Sequence, residues 1–542
     1  MSLTTQIFIV NNIKIPVNAS QREAFSLARS RLKRLGIDPR ELSFSVFRRS
    51  VDARRKENIK FVYSIAASGQ LPRISESKLA EYEIGLLNEP KIEEITHGSE
   101  HLGAPPLIVG AGPAGLFAAL FLAERGYAPT VIERGGCIAD RKRAVSSFYK
   151  THILDENSNI QFGEGGAGTF SDGKLVTRIN DPLSSYVLSR FVDFGAPEEI
   201  KYLARPHIGT DVLSPVIQKM TERIKELGGR VLYNTRYISS KNVGGESVAV
   251  TDRGVFRYGA LILAIGHSAR DTYSDLIESG YSIEGKPFSI GARIEHLAID
   301  IDKALYGDYA GSPELGHAEY NLSHNTKERG VYTFCMCPGG EVVAAASENG
   351  GLVVNGMSKH SRSGINSNSA VVCSIFKEDY GSTPLKAIEF QRRIERAAFT
   401  AGGGGYSAPM ITVGDLLSDR CSSDPTRIIP TYMDGSNYKI ARMSEYLPDF
   451  VCTSIKNALL GFDKKIRGFA DPTAILTGAE TRTSAPVRIL RDADTRIAIG
   501  QNNVYPCGEG AGYAGGITSA AIDGIKTAIS IIKRYKPTKI GG

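Results

Sequence analysis

A glycine-rich turn between two apolar runs constrains the fold of this chain more than any other feature. Residues 107–115 read LIVGAGPAG, and Gly110, Gly112 and Gly115 have the spacing G-x-G-x-x-G. The apolar residues before the turn predict a short buried strand, and residues 113–126 predict a helix. The first glycine permits the tight turn, the second lets the backbone approach a pyrophosphate, and the third lets helix and strand pack closely. The segment therefore predicts a dinucleotide-binding site.

An acidic residue stands where such a site needs one. Glu133 ends the next apolar run, TVIE, 23 residues after Gly110. A carboxylate at the end of the second strand can accept hydrogen bonds from ribose hydroxyl groups. Pro113 and Ala114 begin the helix, whose free N–H groups and positive dipole suit phosphates. Arg134, directly after the acid, is expected in the same site.

Two further arginines follow the acid closely. Arg141 and Arg143 could hold the adenosine or the pyrophosphate, or they could be charges on an exposed helix face. For Arg141 the first interpretation is favoured.

The apolar character of the same region raises a membrane alternative. Residues 104–123 are twenty residues without a charge, which is long enough to span a bilayer. Pro105, Pro106 and the three glycines argue against a spanning helix, so no membrane association is expected.

The N-terminus lacks the basic start and long apolar core of a signal peptide. Seven cysteines without framework spacing indicate reduced thiols, so a cytoplasmic location is expected.

The length of 542 residues suggests more than one domain, and the 42% hydrophobic and 23% charged residues are typical of a globular protein. The pattern predicts an α/β fold with a Rossmann-like nucleotide-binding domain in two parts, residues 104–280 and 471–542. An inserted α+β substrate domain is expected at 281–470. The run GGGG at 402–405 follows a predicted helix and is not counted as a second fingerprint.

Positive charge is concentrated at the N-terminus. The whole chain has a net charge of +7, and residues 1–70 carry 13 Lys and Arg against 5 Asp and Glu. The order strand, helix, strand, strand predicts a small α+β, ferredoxin-like module there. A linker is expected at 71–103.

A basic loop lies between the last two predicted strands of this module. It reads RRSVDARRKE and contains Arg48, Arg49, Arg54, Arg55 and Lys56. Such a loop could bind RNA, a phosphate or an acidic partner, or it could be a solvated hairpin tip. Aromatic residues that would stack on bases are not interleaved with the charges, so nucleic acid is the less favoured partner.

Two later segments resemble the glutathione-reductase-like FAD superfamily. LILAIGHSARD at 261–271, which includes Gly266, resembles its second short motif, and NVYPCGEGAGYAGGITSAAIDGIKTA at 503–528 resembles its C-terminal flavin motif. The resemblance implies that the cofactor is FAD. The contacts that it implies are Gly508 and Glu509 at the ribityl chain, Gly516 and Ile517 at the flavin N1/C2 edge, and the Tyr237 backbone at the adenine.

The whole chain also resembles a family of uncharacterised bacterial FAD-dependent dehydrogenases. The segments that carry this resemblance are long and individually unusual: SVDARRK (50–56), IQFGEGGAGTFSDGKL (160–175), RPHIGTD (205–211), FCMCPGGEV (334–342), GGLVVNGMS (350–358), GGGGYSAP (402–409) and TGAETRTSAPVRI (477–489). The family is known mainly by its flavin, so the resemblance implies an FAD-dependent dehydrogenase without naming a substrate.

In the superfamily, the segment that corresponds to residues 163–174, GEGGAGTFSDGK, runs alongside the flavin ring. The resemblance therefore implies that Gly165 and Gly166 contact the cofactor. Lys174 could lie near the N5 or O4 edge of the ring, or it could form a surface salt bridge. Both interpretations stay open.

Cys335 and Cys337 stand in a predicted strand, where residues two apart face the same way. They could be a redox dithiol that exchanges electrons with the flavin, or small buried hydrophobic residues. The second interpretation is favoured. Cysteine and histidine residues do not occur at zinc-binding spacing, so no metal is expected.

The substrate-side candidates are Glu480, Arg482 and Thr483 in ETRTSAP and His207 in RPHIGTD. Glu480 and Arg482 could clamp a carboxylate or another polar substrate, or they could form an internal ion pair. His207 could be a general acid or base, although a hydrogen-bonded interior histidine is favoured.

These features predict an FAD-dependent oxidoreductase that transfers a hydride through flavin N5. Because the sequence has a single fingerprint, NAD(P)H would be a transient reductant. The substrate is expected to be a small molecule, and its identity and the oligomeric state stay open. The alternatives are a flavoprotein that binds RNA through residues 1–70 and a flavin sensor without turnover.

Overall fold

The N-terminal residues form a four-stranded antiparallel sheet with two connecting helices. The computed structural model describes residues 3–87, 95–177, 179–326 and 329–537 of the chain. The elements of this first unit are β1 (Leu3–Pro16), α1 (Gln21–Arg34), β2 (Ser43–Asp52), β3 (Lys60–Pro72), α2 (Glu76–Glu81) and β4 (Ile84–Leu86). The sheet order is β2-β3-β1-β4, and each neighbouring pair is antiparallel. This order of elements is that of a ferredoxin-like unit.

The sheet extends beyond the expected end of the module. β4 pairs with β1, and Leu86 lies opposite Phe8. The expected linker at 71–103 therefore contributes a strand to the module, which corrects the boundary expected at residue 70. A three-residue strand is too short for its own pattern to predict it. Part of the expected linker, residues 88–94, lies outside the described residues.

The edge strand β2 docks on the following unit through its basic segment. The backbone N–H of Arg49 donates to the carbonyl oxygen of Tyr202 at 2.8 Å, and that of Ala204 donates to the carbonyl oxygen of Arg49 at 2.9 Å. The Arg54 guanidinium is paired with the Asp52 carboxylate at 2.6 Å. Two of the five basic residues of this segment are thus engaged within the chain.

The second unit begins at the fingerprint. Its elements up to residue 278 are β5 (Leu107–Val109), α3 (Pro113–Ala123), β6 (Thr130–Ile132), α4 (Ile138–Thr151), α5 (Leu183–Asp193), α6 (Thr210–Glu226), β7 (Arg230–Leu232), β8 (Tyr237–Val243), β9 (Glu246–Thr251), β10 (Gly254–Arg257), β11 (Leu261–Leu263) and α7 (Arg270–Glu278). The predicted strand, turn and helix of the fingerprint are all present. Strands β8 to β10 form a separate antiparallel sheet.

The remaining elements include the whole inserted sheet and the C-terminal return to the second unit. They are β12 (Ile283–Gly285), β13 (Phe288–Leu297), α8 (Ala298–Tyr306), β14 (Ser323–Asn325), β15 (Gly330–Cys337), β16 (Glu341–Ala344), β17 (Val354–Met357), β18 (Asn366–Ile375), α9 (Lys377–Tyr380), α10 (Pro384–Ala401), β19 (Ala408–Thr412), α11 (Val413–Leu417), β20 (Tyr438–Ile440), α12 (Asp449–Asp463), β21 (Ile475–Glu480), β22 (Val487–Ile489), β23 (Val504–Pro506) and α13 (Ile517–Arg534). Short 3-10 helices lie at Ala167–Phe170, Glu198–Lys201, Gly307–Tyr309, Tyr432–Gly435 and Met443–Glu445.

A five-stranded parallel sheet forms the centre of the second unit, in the order β23-β11-β5-β6-β7. The residues of β5, β11 and β23 are all buried, as expected for parallel strands covered on both faces. Helix α13 packs closely on α3, and a Cβ added at Gly524 would lie 2.1 Å from the carbonyl oxygen of Ala114. Ligands of such sheets bind at the carboxyl ends of the strands.

The inserted unit is built on a seven-stranded sheet in the order β14-β15-β18-β13-β21-β19-β20. Its central strand β13 pairs with β18 over ten residues, and nearly all of β13 is buried. Strand β21 belongs to this sheet because it pairs with β13. The sheet therefore includes residues beyond 470, which corrects the expected boundary, and the chain rejoins the parallel sheet only at β23.

The long apolar run of the fingerprint is divided between strand β5 and helix α3. Helix α3 has 11 residues and is almost wholly buried. Across the described ranges, no helix is both long enough and apolar enough to cross a membrane.

Replacement of Ile294 by alanine tests whether β13 is the core of the inserted unit. Ile294 is fully buried, so Ile294→Ala should leave a cavity that costs about 2–5 kcal/mol and should lower Tm in calorimetry. Ile299→Ala on helix α8 is the matched control, because Ile299 is 40% exposed and its truncation should change Tm little. Equal shifts of Tm in the two variants would contradict this core.

Candidate functional site

A cavity of about 340 Å³ lies where the parallel sheet, the 163–174 loop and the inserted unit meet. Twelve of the sixteen residues predicted to bind the cofactor line it: Gly110, Gly112, Pro113, Ala114, Glu133, Arg134, Gly166, Tyr237, Gly266, Glu509, Gly516 and Ile517. Lys174, Cys335, Glu480 and Arg482 line the same cavity. The structure thus brings together residues that are about 400 positions apart in the sequence, from Gly110 to Ile517.

The other four residues predicted to bind the cofactor do not line the cavity but pack against the residues that do. A Cβ added at Gly115 would lie 1.9 Å from the carbonyl oxygen of Gly110, so this glycine allows the close packing of helix on turn. A Cβ at Gly165 would lie 2.1 Å from the Thr169 hydroxyl. The N–H of Gly508 donates to the Asp523 carboxylate at 2.8 Å.

Arg141 is the fourth, and its position corrects the expected contact with the cofactor. It is fully buried in helix α4 and does not line the cavity. Its guanidinium donates to the carbonyl oxygens of Asn159 (2.8 Å), Ile160 (2.6 Å), Glu164 (2.8 Å) and Gly166 (2.8 Å). Arg141 therefore fixes the loop that forms one wall. Arg143 has an exposed side chain that pairs with Asp140.

Glu133 links the fingerprint turn to that loop. One carboxylate oxygen accepts the N–H of Ala111 at 2.8 Å, and the other accepts the N–H groups of Gly135 and Gly163, each at 3.0 Å. The residue is buried and lines the cavity. The carboxylate lies at the end of β6, where the sequence places a ribose ligand.

The backbone around the cavity fits an extended dinucleotide such as FAD. A Cβ added at Gly266, Gly515 or Gly516 would meet nothing within 4 Å, so bare backbone borders open space at these cavity-lining positions. Helices α3 and α13 both begin at the cavity. Their N-terminal N–H groups and dipoles favour negative charge, which suits a diphosphate at one helix and a reduced flavin at the other.

Two groups near the start of α13 have strongly shifted pKa values. Burial raises the pKa of Glu509 to about 7, although the positive charge of Lys286 opposes this. Burial also raises the pKa of the Cys507 thiol to about 12. Both side chains line the cavity, and Cys507 is expected to remain a protonated thiol.

Lys174 lines the cavity and also forms a salt bridge, which involves a buried carboxylate. Its ammonium group lies 2.8 Å from the carboxylate of Asp172, which is fully buried, and both residues line the cavity. Asp172 also accepts hydrogen bonds from the Arg362 guanidinium at 3.0 and 2.6 Å. Burial disfavours the charged form of Lys174, but Asp172 and Glu319 outweigh it and raise the pKa. A protonated ammonium group, paired with two carboxylates, therefore stands at the cavity wall.

Glu480 and Arg482 do not pair with each other. Glu480 accepts from Arg293 at 3.0 Å, whereas Arg482 donates to Glu395 at 3.2 and 2.9 Å. Arg270 binds the same Glu395 carboxylate at 2.6 and 2.7 Å. Both residues of the predicted clamp thus belong to separate internal ion pairs, while each keeps a surface on the cavity.

The two cysteines do not follow the predicted strand alternation. The register between β15 and β18 shifts between Phe334 and Cys337, and Cys335 has a positive φ of 46°. Cys335 lines the cavity, whereas Cys337 is fully buried and does not.

His207 lies outside the cavity lining, next to another histidine. Its Nε2 lies 3.1 Å from the carbonyl oxygen of His360, and the two rings are stacked at 5.2 Å. Burial lowers the pKa of His207. This environment matches the favoured interpretation of an interior histidine.

Sequence reasoning did not select His267, which lines the cavity directly after Gly266. Burial and the positive charges of Arg482 and Arg270 lower its pKa to about 3, so it is a neutral imidazole. Asp172 was also missed. Its place in the SDGK segment of the glycine-rich loop is the signal that could have selected it.

Comparison with known proteins assigns most of this architecture to recognised families. Residues 104–152 match a family model described as an FAD binding domain, residues 287–483 match "FAD-dependent protein, C-terminal domain-like", and residues 9–68 match a domain of unknown function. The chain is 45% identical over 532 residues to an "Uncharacterized protein" of Clostridium beijerinckii (strain ATCC 51743 / NCIMB 8052), which covers 97% of this chain and 98% of that protein. The chain belongs to the same family as this protein. The two matched FAD-related domains, residues 104–152 and 287–483, make it an FAD-dependent member of that family.

Similarity to solved structures is low in identity and in superposition. CtdE in complex with FAD is 11% identical, covers 79% of this chain and 82% of its own, and has a TM-score of 0.32. FqzB is 10% identical, its alignment covers 80% of this chain and 77% of FqzB, and its TM-score is 0.34. The tetracycline destructase Tet(51) is 10% identical, its alignment covers 79% of this chain and 80% of Tet(51), and its TM-score is 0.32.

Removal of the Arg141 guanidinium should weaken FAD binding without a direct contact being lost. Arg141→Met leaves several loop carbonyl oxygens without their donor, so the loop that carries Gly166 loses its support. We expect less FAD per purified protein, measured by flavin absorbance after denaturation. Arg143→Met on the same helix is the control, because its side chain is 74% exposed. Unchanged FAD content in Arg141→Met would contradict the assigned role.

The raised pKa of Glu509 makes the stability of the FAD-free protein depend on pH. Between its ordinary pKa and about 7 the folded protein holds a proton that the unfolded chain releases, so stability falls as pH rises through this window. The Glu509→Gln side chain stays neutral, so this variant does not lose stability as pH rises through the window. Its Tm relative to the unsubstituted protein should therefore be higher at pH 8 than at pH 5. A difference that does not change with pH would contradict burial of the carboxyl group.

Proposed function

We propose that the protein is an FAD-dependent oxidoreductase of the dehydrogenase type, in which a hydride passes between a small-molecule substrate and flavin N5. A single observation carries the proposal. One continuous cavity is bordered both by the dinucleotide fingerprint and by the ionisable side chains Lys174, Cys335 and Glu480. A dinucleotide bound at the fingerprint would extend towards those side chains.

FAD, when bound, would supply the hydride-transfer chemistry. The contribution of the chain is to bind, orient and tune the ring. The N-terminus of α13 and the ammonium group of Lys174 both favour negative charge, which the flavin gains on reduction. Asp172 and Arg362 hold Lys174 in place, because the buried Asp172 carboxylate accepts hydrogen bonds from both the Lys174 ammonium group and the Arg362 guanidinium.

The substrate proposal rests on the charge arrangement at the inserted unit. Glu480 and Arg482 are neutralised by Arg293 and Glu395, so neither offers a free charge to a strongly ionic ligand. A small polar molecule that accepts hydrogen bonds near Lys174 fits this wall best.

NAD(P)H as a transient reductant is consistent with the single fingerprint. Membership of the glutathione-reductase-like superfamily and a cytoplasmic location are parts of the same proposal.

Binding of RNA through the N-terminal module is not put forward as a second function. The Arg49 guanidinium lies over the rings of Phe61 and Tyr202, and the Arg54 guanidinium is paired with Asp52. No contact or cavity observed in the described part of the module favours a nucleic-acid partner.

Anaerobic reduction tests the proposed function. The purified protein should show the oxidised-flavin band at about 450 nm, and NADH, NADPH or one of a panel of small organic acids should bleach it. Lys174→Met should slow bleaching by about 10²-fold, since a fixed charge at the reacting group is lost, while the band itself remains. Lys142→Met, on an exposed position of α4, is the control.

Three results bear on the alternatives. Absence of flavin would contradict the proposal entirely. Bound flavin that none of these donors bleaches would favour a sensor without turnover. Equal bleaching rates in Lys174→Met and Lys142→Met would show that Lys174 has no part in the reaction.

A further inference from the structure

We propose that Cys335 and Cys337 form a redox-active dithiol that exchanges two electrons with the bound flavin, so that the holoenzyme stores more electrons than the flavin alone. The proposal rests on the proposed function, because it requires FAD in the cavity. It follows from a backbone feature of β15 together with the charges that surround the two sulfurs.

The backbone feature is a bulge that alters the geometry of the C-x-C segment. In a regular strand, residues two apart are separated by about 6.6 Å, which is too far for the Cβ separation of a disulfide, about 3.5–4.5 Å. Here Phe334 pairs with Ala370 and Cys337 pairs with Asn368, so two residues of β15 oppose one residue of β18. The left-handed conformation of Cys335 accompanies this bulge.

The bulge places the Cys337 thiol next to the backbone of Cys335. The Cys337 thiol donates a hydrogen bond to the carbonyl oxygen of Cys335 at 3.4 Å. Both thiols are free in the structure. A disulfide between the two cysteines would form within the bulged segment 335–337.

A buried arginine holds the bulge in place. Arg293 is fully buried, and both terminal nitrogens of its guanidinium lie 3.2 Å from the carbonyl oxygen of Cys335. The same guanidinium donates to Glu480 at 3.0 Å and to Asn368 at 2.8 Å. Strained backbone persists only where the surroundings fix it, and such sites are often functional.

The charges around the pair make the two sulfurs different. The interaction with Cys337 and the positive charges of Arg293 and Lys174 lower the pKa of Cys335, and they outweigh burial and Glu480, which raise it. The hydrogen bond and burial raise the pKa of Cys337. The cavity-lining Cys335 is thus the more readily ionised of the two thiols, and the thiolate is the reactive form.

The exchange balances with FAD as the only oxidant. The Cys335 thiolate and the Cys337 thiol lose two electrons, a sulfur–sulfur bond forms, and the Cys337 proton is released. Oxidised FAD takes up the two electrons and one proton. The reverse transfer restores thiolate and thiol.

Reductive titration of the air-equilibrated holoenzyme tests the proposal. Under anaerobic conditions, dithionite should deliver about four electrons per FAD before the flavin is fully reduced, against about two for a flavin without a redox partner. Cys335→Ser and Cys337→Ser should each take up about two. Cys373→Ala is the matched control, because Cys373 is fully buried in the neighbouring strand β18, and it should take up as many electrons as the unsubstituted protein.

Mass spectrometry of the unsubstituted protein gives an independent readout. Tryptic cleavage after Arg329 and Lys359 releases residues 330–359, which contain Cys335 and Cys337 and no other cysteine. After air oxidation and alkylation in denaturant, this peptide should be unalkylated and two hydrogens lighter. After dithionite treatment it should carry two alkyl groups.

The outcomes separate this proposal from the proposed function. Uptake of two electrons by the unsubstituted holoenzyme, with both cysteines alkylated after air oxidation, overturns the dithiol and leaves the flavin enzyme intact. Absence of the flavin band overturns both. If a cysteine variant does not fold, the titration and the peptide masses of the unsubstituted protein still decide the question.

Discussion

The carboxylate of Glu133 is the interaction on which the cofactor cavity depends. It accepts N–H groups from Ala111 in the fingerprint turn, from Gly135 after β6 and from Gly163 at the start of the glycine-rich loop. Three segments that are distant in sequence are thereby fixed around one buried charge. Hydrogen bonds to an ionised acceptor are stronger than neutral ones. The backbone that borders the cavity is therefore held in place by the protein itself.

Buried ion pairs join the inserted unit to the same cavity. Glu395 of α10 accepts from Arg270 of α7 and from Arg482 after β21, so one carboxylate connects the second unit to the inserted sheet. Ion pairs of this kind contribute little net stability, but removal of one partner leaves a costly unpaired charge. Their effect is to fix how the wall that carries Glu480 and Cys335 faces the fingerprint.

Local patterns were sufficient to predict the fingerprint strand, helix α3, the cavity-lining glycines and the return of the C-terminus as α13. They were insufficient where the outcome depends on distant partners. Strand β21 joins the inserted sheet because it pairs with β13, about 180 residues earlier. Arg141 supports the loop instead of touching the ligand because the loop carbonyl oxygens converge on it. The different environments of Cys335 and Cys337 follow from a bulge that spacing alone does not reveal.

A crystal structure of the purified protein with its flavin tests the central claim most directly. The account predicts FAD along the cavity, with the adenosine near Glu133, the pyrophosphate at the start of α3, and the ring between Ile517 and the wall that carries Lys174 and Cys335. A flavin bound elsewhere, or a ring that points away from Lys174 and Cys335, would contradict it.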